Sequence, residues 1–186
     1  QRLAERMREQ PDDPEGWALL GRAYASMQRF ELARDALGQA VARRGDDAQL
    51  RADYADMLAM TQERDLRGEP ERQITLALQA DPDNLKALAL AGSAAMQRGD
   101  FDTAIKHWTR AQGVAGDDSA FTQGLQASLA EAYARAGRPM PAPAGATAAP
   151  ARVIDGQVRL APELAARVQP GDTLFVYARA VDGPAA

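Results

Sequence analysis

The 186-residue chain contains no cysteine and only one histidine, His107. Without cysteine there is no disulfide framework, thiol nucleophile or thiolate metal site, and this fits a reducing cytosol or a bacterial periplasm equally well. A lone histidine makes a poor zinc site, because zinc usually takes three or four protein ligands. No Ser-His-Asp set, phosphate-binding loop or paired-acid cleft can be assembled. The sequence therefore predicts no enzyme, metal site or cofactor, and an enzyme dependent on His107 ranks last among the candidate functions.

The chain is also short of aromatic residues and of positive charge. Aromatics make up 5% of it, too few for an aromatic-rich sandwich core, and the formal net charge is -4. Nothing in this balance draws the protein to nucleic acid or to anionic lipid. No apolar run reaches the length of a membrane span, and no signal peptide is recognisable. Because Gln1 opens inside a helical pattern, we expect the chain to be part of a longer protein.

What the sequence has in abundance is alanine, arranged at helical spacing. One helical stripe, with the spacing i, i+3, i+4 and i+7, is formed by Trp17, Leu20, Gly21 and Tyr24. A turn at 28–30 leads to a second helix, whose apolar stripe faces the first. The smallest residues of the two stripes are expected where the helix backbones come closest; they are Gly21, Ala33 and Ala40.

This helical hairpin recurs with a period of about 34 residues. One such step from Leu20 lands on Tyr54, and a third copy includes Leu88 and Gly92. The order of residues in the first copy, W-x2-L-G-x2-Y followed by F and A, resembles the tetratricopeptide repeat (TPR). We predict an all-α fold, a TPR superhelical solenoid of antiparallel helix pairs with a C-terminal capping helix. Its predicted parts are a half repeat at 1–11, repeats at about 14–47, 48–84 and 85–118, with an insertion after Met60, and the capping helix at 119–137.

The remaining residues differ in composition from the repeats. Residues 138–151 are rich in proline and alanine and are predicted to be a linker. From 152 to 186 the pattern changes to alternation, with Ile154, Val158 and Leu160 on one side of a strand and a second strand at 174–178. We expect a small, incomplete β/α segment that either docks on the helices or opens a β-containing domain.

The C-terminal residues resemble one family specifically. The matching positions are Gly156, Val158, 160–168, Pro170, 172–176 and 178–180, with 53–55 and 86–95 in the repeats. Together with the repeats and linker, they resemble the TPR subunit of the bacterial cytochrome c maturation (haem lyase) system, the CcmI/CycH type.

The resemblance implies a periplasmic domain of a protein anchored in the inner membrane through N-terminal segments absent from this chain. It implies a non-enzymatic chaperone that binds the C-terminal helix of apocytochrome c in the concave TPR groove. The chaperone would deliver this client to the other haem lyase subunits for haem ligation. The alternative is a TPR scaffold that assembles a periplasmic complex and binds no client.

Repeat position predicts which residues line the groove, because five positions of the first helix of each TPR generally point into it. The predicted peptide-binding residues are Arg22, Ala25, Ser26, Gln49, Ala52, Asp56, Met60, Lys86, Ala89, Ser93, Met96 and Gln97. Alanines leave room for a thick occupant and methionine adapts to varied apolar shapes, which suits an amphipathic helix. The alternatives are that both methionines only pack between helices and that the charged residues are solvated surface.

A different class of TPR protein clamps the terminal carboxylate of a chaperone. That clamp needs a lysine and an asparagine in the first repeat and an asparagine in the second. Here those positions hold Ala18, Arg22 and Asp53, and only Lys86 of the third repeat agrees. The sequence therefore argues against a carboxylate clamp.

Overall fold

The computed structural model describes residues 2–116 and 120–141. These ranges fold into helices joined by turns, and no strand occurs within them. The helices are α1 Arg2–Glu9, α2 Pro14–Ser26, α3 Phe30–Arg43, α4 Ala48–Met60, α5 Glu69–Ala80, α6 Leu85–Gln97, α7 Phe101–Ala115 and α8 Ala120–Arg135. The strands predicted beyond residue 152, and most of the predicted linker, lie outside the described residues.

Short polar side chains start the first helix of each repeat. The carboxylate of Asp13 accepts a hydrogen bond from the Gly16 N–H at 2.9 Å, and that of Asp47 accepts one from Leu50 at the same distance. The amide oxygen of Asn84 caps α6 in the same way. Each of these bonds satisfies an N–H that has no partner inside its helix.

The helices pack in consecutive pairs, which is the predicted solenoid. α2 packs with α3, α4 with α5 and α6 with α7, and each pair contacts the next. α8 closes the stack, since Leu125 and Leu129 are buried in one cluster with Trp108 of α7. At the other end, Met7 of α1 is buried against Leu20. The all-α TPR architecture with a closing helix is therefore confirmed for the described residues.

Glycine permits the closest approach between paired helices, as the sequence indicated for Gly21. A Cβ atom added at Gly21 would meet the side chain of Leu37, and one added at Gly92 would overlap the indole ring of Trp108. Ala33 and Ala40 have no exposed surface. Small residues therefore set the spacing of each pair, and large residues fill the volume beside them.

The second pair has a longer connection than the other two, in agreement with the predicted insertion. Residues 61–68 join α4 to α5, whereas 27–29 and 98–100 suffice elsewhere. Leu66 of this connection is only 5% exposed and packs with Ile74 of α5 and Ala91 of α6. The inserted residues thus contribute to the core.

Candidate peptide-binding groove

The first helices of the three repeats, α2, α4 and α6, carry every residue predicted to bind peptide. α4 contacts both of its neighbours, α2 on one side and α6 on the other. A chain of hydrogen bonds through Arg22, Asp53 and Lys86 joins one side chain from each of the three helices. The surface shared by α2, α4 and α6 on this side is called the groove face below.

Asp53 is the centre of a polar network on the groove face. Its Oδ2 accepts a hydrogen bond from Arg22 Nε at 2.9 Å, and its Oδ1 accepts from Lys86 Nζ and from Gln49 Nε2, both at 3.0 Å. The Asp53 side chain is only 11% exposed, whereas that of Arg22 is 53% exposed. A carboxylate at this depth is stabilised by the cations and amide that surround it.

Lys86 is held by two carboxylates, from Asp53 and from Asp56, whose Oδ2 lies 2.8 Å from Lys86 Nζ. Burial on its own would lower the pKa of Lys86, because a desolvated ammonium is disfavoured. The hydrogen bond to Asp56 and the charges of both acids outweigh burial, so the pKa is raised above its ordinary value. Lys86 therefore stays charged, and its charge is matched within the groove face.

The network also reaches the start of α6. Gln49 Oε1 accepts a hydrogen bond from Asn84 Nδ2 at 3.1 Å, while Asn84 Oδ1 accepts from the Ala87 N–H at 2.9 Å. The N-cap of α6 and the ion pairs of α4 are thus linked through Gln49. The sequence identified Arg22, Gln49 and Lys86 as groove residues, but it did not show that all three bond to the buried Asp53.

Ala52 does not belong to the accessible groove face, contrary to the prediction. It has no exposed surface because it packs in one cluster with Ala77 of α5 and Ala87 of α6. Ala25 and Met60 are half-buried and pack against the cluster that contains Leu37 and Met57. Ala52 therefore supports the groove from beneath and cannot touch an occupant.

Gln97, which was predicted to bind peptide, also binds the connection 61–68 in the structure. Its Oε1 accepts a hydrogen bond from the Leu66 N–H at 3.0 Å, and its Nε2 donates to the Arg64 carbonyl at 2.8 Å. The oxygen and the nitrogen of this one side-chain amide therefore both hold the inserted residues against α6. The insertion after Met60 was the available signal in the sequence, because an inserted connection needs side-chain hydrogen bonds to hold its backbone.

Of the four remaining predicted residues, Ser26 is exposed at the end of α2, where its Oγ donates a hydrogen bond to the Ala23 carbonyl. The other three form a second, less polar part of the groove face. Ala89, Ser93 and Met96 lie on one side of α6, at spacings of four and three residues, and all are half-buried. A cavity of about 340 Å³ opens beside them. Its lining residues are Ser93, Met96, Gln97, Trp108, Ser128, Glu131 and Arg135.

α8 supplies the wall of this cavity that the sequence prediction missed. Ser128, Glu131 and Arg135 come from this helix, and Glu131 Oε1 pairs with Arg135 Nη2 at 2.8 Å. Glu131 follows Gln97 by one period of 34 residues, so α8 occupies the place of a fourth first helix. Extending the repeat positions into α8 would have identified Glu131.

His107 is half-buried on α7. It lines a separate cavity of about 340 Å³ between α5, α6 and α7, together with Ile74 and Leu78. Burial lowers its pKa, and the nearby positive charges of Lys106 and Arg110 lower it further. His107 is therefore neutral at pH 7. Among the described residues, no group of three or more His, Cys, Asp or Glu is placed to hold a metal ion.

Two models of known protein families match this chain. The family model described as the cytochrome c-type biogenesis protein H TPR domain matches residues 2–121, and that of the Ig-like domain of the same protein matches 154–186. The chain belongs to the cytochrome c-type biogenesis protein H family. Within this family's TPR domain lie α1 to α7, all of the Asp53 network, and the start of α8.

Two curated relatives agree with this assignment. The chain is 30% identical over 186 residues to the cytochrome c-type biogenesis protein CycH of Pseudomonas aeruginosa, covering 98% of this chain and 46% of that protein. It is 30% identical over 110 residues to the formate-dependent nitrite reductase complex subunit NrfG of Escherichia coli O157:H7, covering 59% of this chain and 56% of that protein. The chain spans about half the length of these relatives.

Solved structures support the fold alone. The MamA protein matches with a TM-score of 0.62 at 15% identity, over 73% of this chain and 70% of that one. The Sgt2 TPR domain of Aspergillus fumigatus matches with a TM-score of 0.57 at 17% identity, over 83% of this chain and 93% of that one. In the described part of this chain, no helix is long and apolar enough to cross a bilayer.

Proposed function

We propose that this chain is the client-binding part of a cytochrome c maturation factor. Its groove face holds the C-terminal helix of apocytochrome c and delivers it to the haem lyase subunits for haem ligation. The parent protein is anchored in the bacterial inner membrane, and this domain works in the periplasm. Family membership and the repeat architecture support this proposal.

The observation that carries the proposal is the less polar part of the groove face. Ser93 and Met96 line the open cavity of about 340 Å³ that α8 bounds on one side, and Ala89 lies one turn before Ser93 on α6. A helix laid in a groove binds through apolar residues spaced three and four apart, and methionine follows their varied shapes. Glu131 and Arg135 at the rim offer polar contacts to the flanks of such a helix.

The proposed role is non-enzymatic. The groups that line the groove face offer ion pairing, hydrogen bonding and apolar contact, and its charged side chains Arg22, Asp53, Asp56 and Lys86 are bonded to one another. Such groups recognise a surface and hold it. Binding followed by transfer to a partner requires nothing more of this chain.

Calorimetry with a synthetic peptide of an apocytochrome c C-terminal helix tests the proposal. We expect saturable binding to one site and markedly weaker binding of the same residues in scrambled order. Met96→Ala should weaken binding about tenfold, because one buried methionine side chain contributes on the order of 1.5 kcal/mol. Met27→Ala is the matched control, since Met27 is 55% exposed in the turn after α2. Equal affinity for the scrambled peptide would refute client binding.

A scaffold that docks a neighbouring subunit is the second candidate, and one apolar cleft favours it. This cleft of about 540 Å³ lies between α1, α2 and α3 and includes Met7, Trp17 and Tyr24. Leu32 at its edge is 42% exposed. The scaffold would be established by two results together. The native protein should capture haem lyase subunits while Leu32→Glu does not, and the native protein should show no affinity for apocytochrome c.

A further inference from the structure

Asp53 engages both cations of the groove face, and this determines what the groove can bind. Arg22 and Lys86 each donate to its carboxylate, and Lys86 also pairs with Asp56. Two positive and two negative side chains therefore balance within one cluster. We propose that Asp53 is a specificity-determining residue that makes the groove reject terminal carboxylates, so that a helix is recognised by its side and not by its chain end.

The depth of Asp53 makes this effect strong. Its side chain is 11% exposed, while those of Arg22 and Lys86 are 53% and 34% exposed. The two cations thus keep more contact with the solvent than Asp53 does, and an incoming carboxylate would approach from the solvent. A charge that is mostly withdrawn from water is screened weakly by salt and solvent, so it acts at nearly full strength on its neighbours.

An incoming carboxylate meets two obstacles at this cluster. Any pairing it makes with Arg22 or Lys86 competes with the ion pairs that these cations already form with Asp53 and Asp56. It must also approach two existing negative charges, Asp53 and Asp56, without a net positive charge to attract it. Proteins that capture a chain terminus instead present unpaired donors to the carboxylate.

Neutralising Asp53 reverses both obstacles. In Asp53→Asn, Arg22 and Lys86 face only one carboxylate, that of Asp56, and the cluster carries a net charge of +1. Both cations then lose the carboxylate that they share, so a new carboxylate meets less competition for them. The groove should change from one that ignores a terminal carboxylate to one that binds it.

The experiment compares two forms of one probe, an acetylated hexapeptide of alanine and glutamate that ends in a free carboxylate or in an amide. By fluorescence anisotropy, the native protein should bind the two forms with equal affinity. Asp53→Asn should bind the free form about tenfold more tightly than the amide, the gain expected for a charge-assisted hydrogen bond at a partly exposed site. The preference should fall at high salt.

Matched variants assign the effect to Asp53. Asp83→Asn removes an acid from a separate ion pair, with Arg110, and should show no preference for the free form. Adding Lys86→Gln to Asp53→Asn should remove most of the gain. Asp56→Asn, at an acid whose side chain is 31% exposed, should give a smaller preference of about threefold. If circular dichroism shows that Asp53→Asn is unfolded, Asp56→Asn still decides the test.

The inference rests on the proposed function, because it concerns the same groove, but it fails separately. A native protein that binds neither form of the apocytochrome helix peptide contradicts the function, and the acidic probe still reports on Asp53. A native protein that binds the free form of that peptide more tightly than its amide contradicts the inference alone. Folded Asp53→Asn with no preference between the two probe forms also overturns it.

Discussion

Replacing Gly92 with alanine gives a direct measure of how closely α6 and α7 are packed. An added Cβ would overlap the indole ring of Trp108, which is 4% exposed and lies among the buried residues of the last pair. The ring cannot easily withdraw, because its Nε1 donates a hydrogen bond to the Ala89 carbonyl at 3.1 Å. Either the helices separate or the ring turns and gives up that bond.

The expected loss of stability follows from three opposing contributions. Overpacking a tight core costs about 1–3 kcal/mol. A weakened hydrogen bond adds up to about 1 kcal/mol. Alanine recovers roughly 1 kcal/mol relative to glycine inside a helix. We therefore expect Gly92→Ala to lower the free energy of unfolding by about 1–2 kcal/mol, which corresponds to a Tm lower by about 3–6 °C.

Urea unfolding followed by circular dichroism provides the measurement, and Gly124 provides the control. Gly124 lies in α8, and apart from the adjacent backbone of that helix an added Cβ would meet nothing within 4 Å, so Gly124→Ala should stabilise the protein by about 0.5–1 kcal/mol. The same substitution then has opposite signs at two helical sites. In the Trp108→Phe background the smaller ring should reduce the cost of Gly92→Ala. If Gly92→Ala stabilises the protein as Gly124→Ala does, the close packing described here is wrong.

Two further predictions concern the connection between α4 and α5. Gln97→Ala should speed amide hydrogen exchange at Leu66 and lower the free energy of unfolding by about 1 kcal/mol, because the Leu66 N–H and the Arg64 carbonyl lose their partner; unchanged exchange at Leu66 would contradict this. The side chain and backbone N–H of Arg67 lower the pKa of Asp65 from 3.8 to about 2. An NMR titration should find this midpoint, and the contribution of the pair, complete above pH 3.8, should disappear as the pH falls through about 2. Arg67→Ala should return the midpoint toward 3.8, whereas a native midpoint already near 3.8 would refute the pairing.

The parts of the fold that repeat were predictable from the sequence. Trp17 and Leu20 gave the period of the first helix, and the same pattern at Leu88 and Gly92 placed the third repeat. Asp13 and Asp47, which cap α2 and α4, each stand just before an apolar stripe, and this is a position that a sequence alone reveals. These features depend on neighbours within one repeat, so a single sequence carries enough information to find them.

The groove face was harder, because its residues act across repeats. Repeat position found Arg22 and Lys86, but only the packing of three helices shows that both bond to Asp53. Ala52 has the right repeat position and is nevertheless covered, since burial depends on how closely neighbouring helices approach. Gln97 has a second role that repeat position did not reveal. Its partners belong to an insertion that no other repeat contains.

The anchored connection has a consequence for how this chain can evolve or be engineered. Repeats of a solenoid are commonly treated as modules that can be duplicated, deleted or exchanged. Here Leu66 of the second repeat is buried against the third, and its backbone is held by Gln97 of the third. Deleting the third repeat alone would expose Leu66, and deleting the second alone would leave Gln97 without its hydrogen-bond partners. We therefore expect the second and third repeats to be exchanged or deleted as a pair more readily than singly.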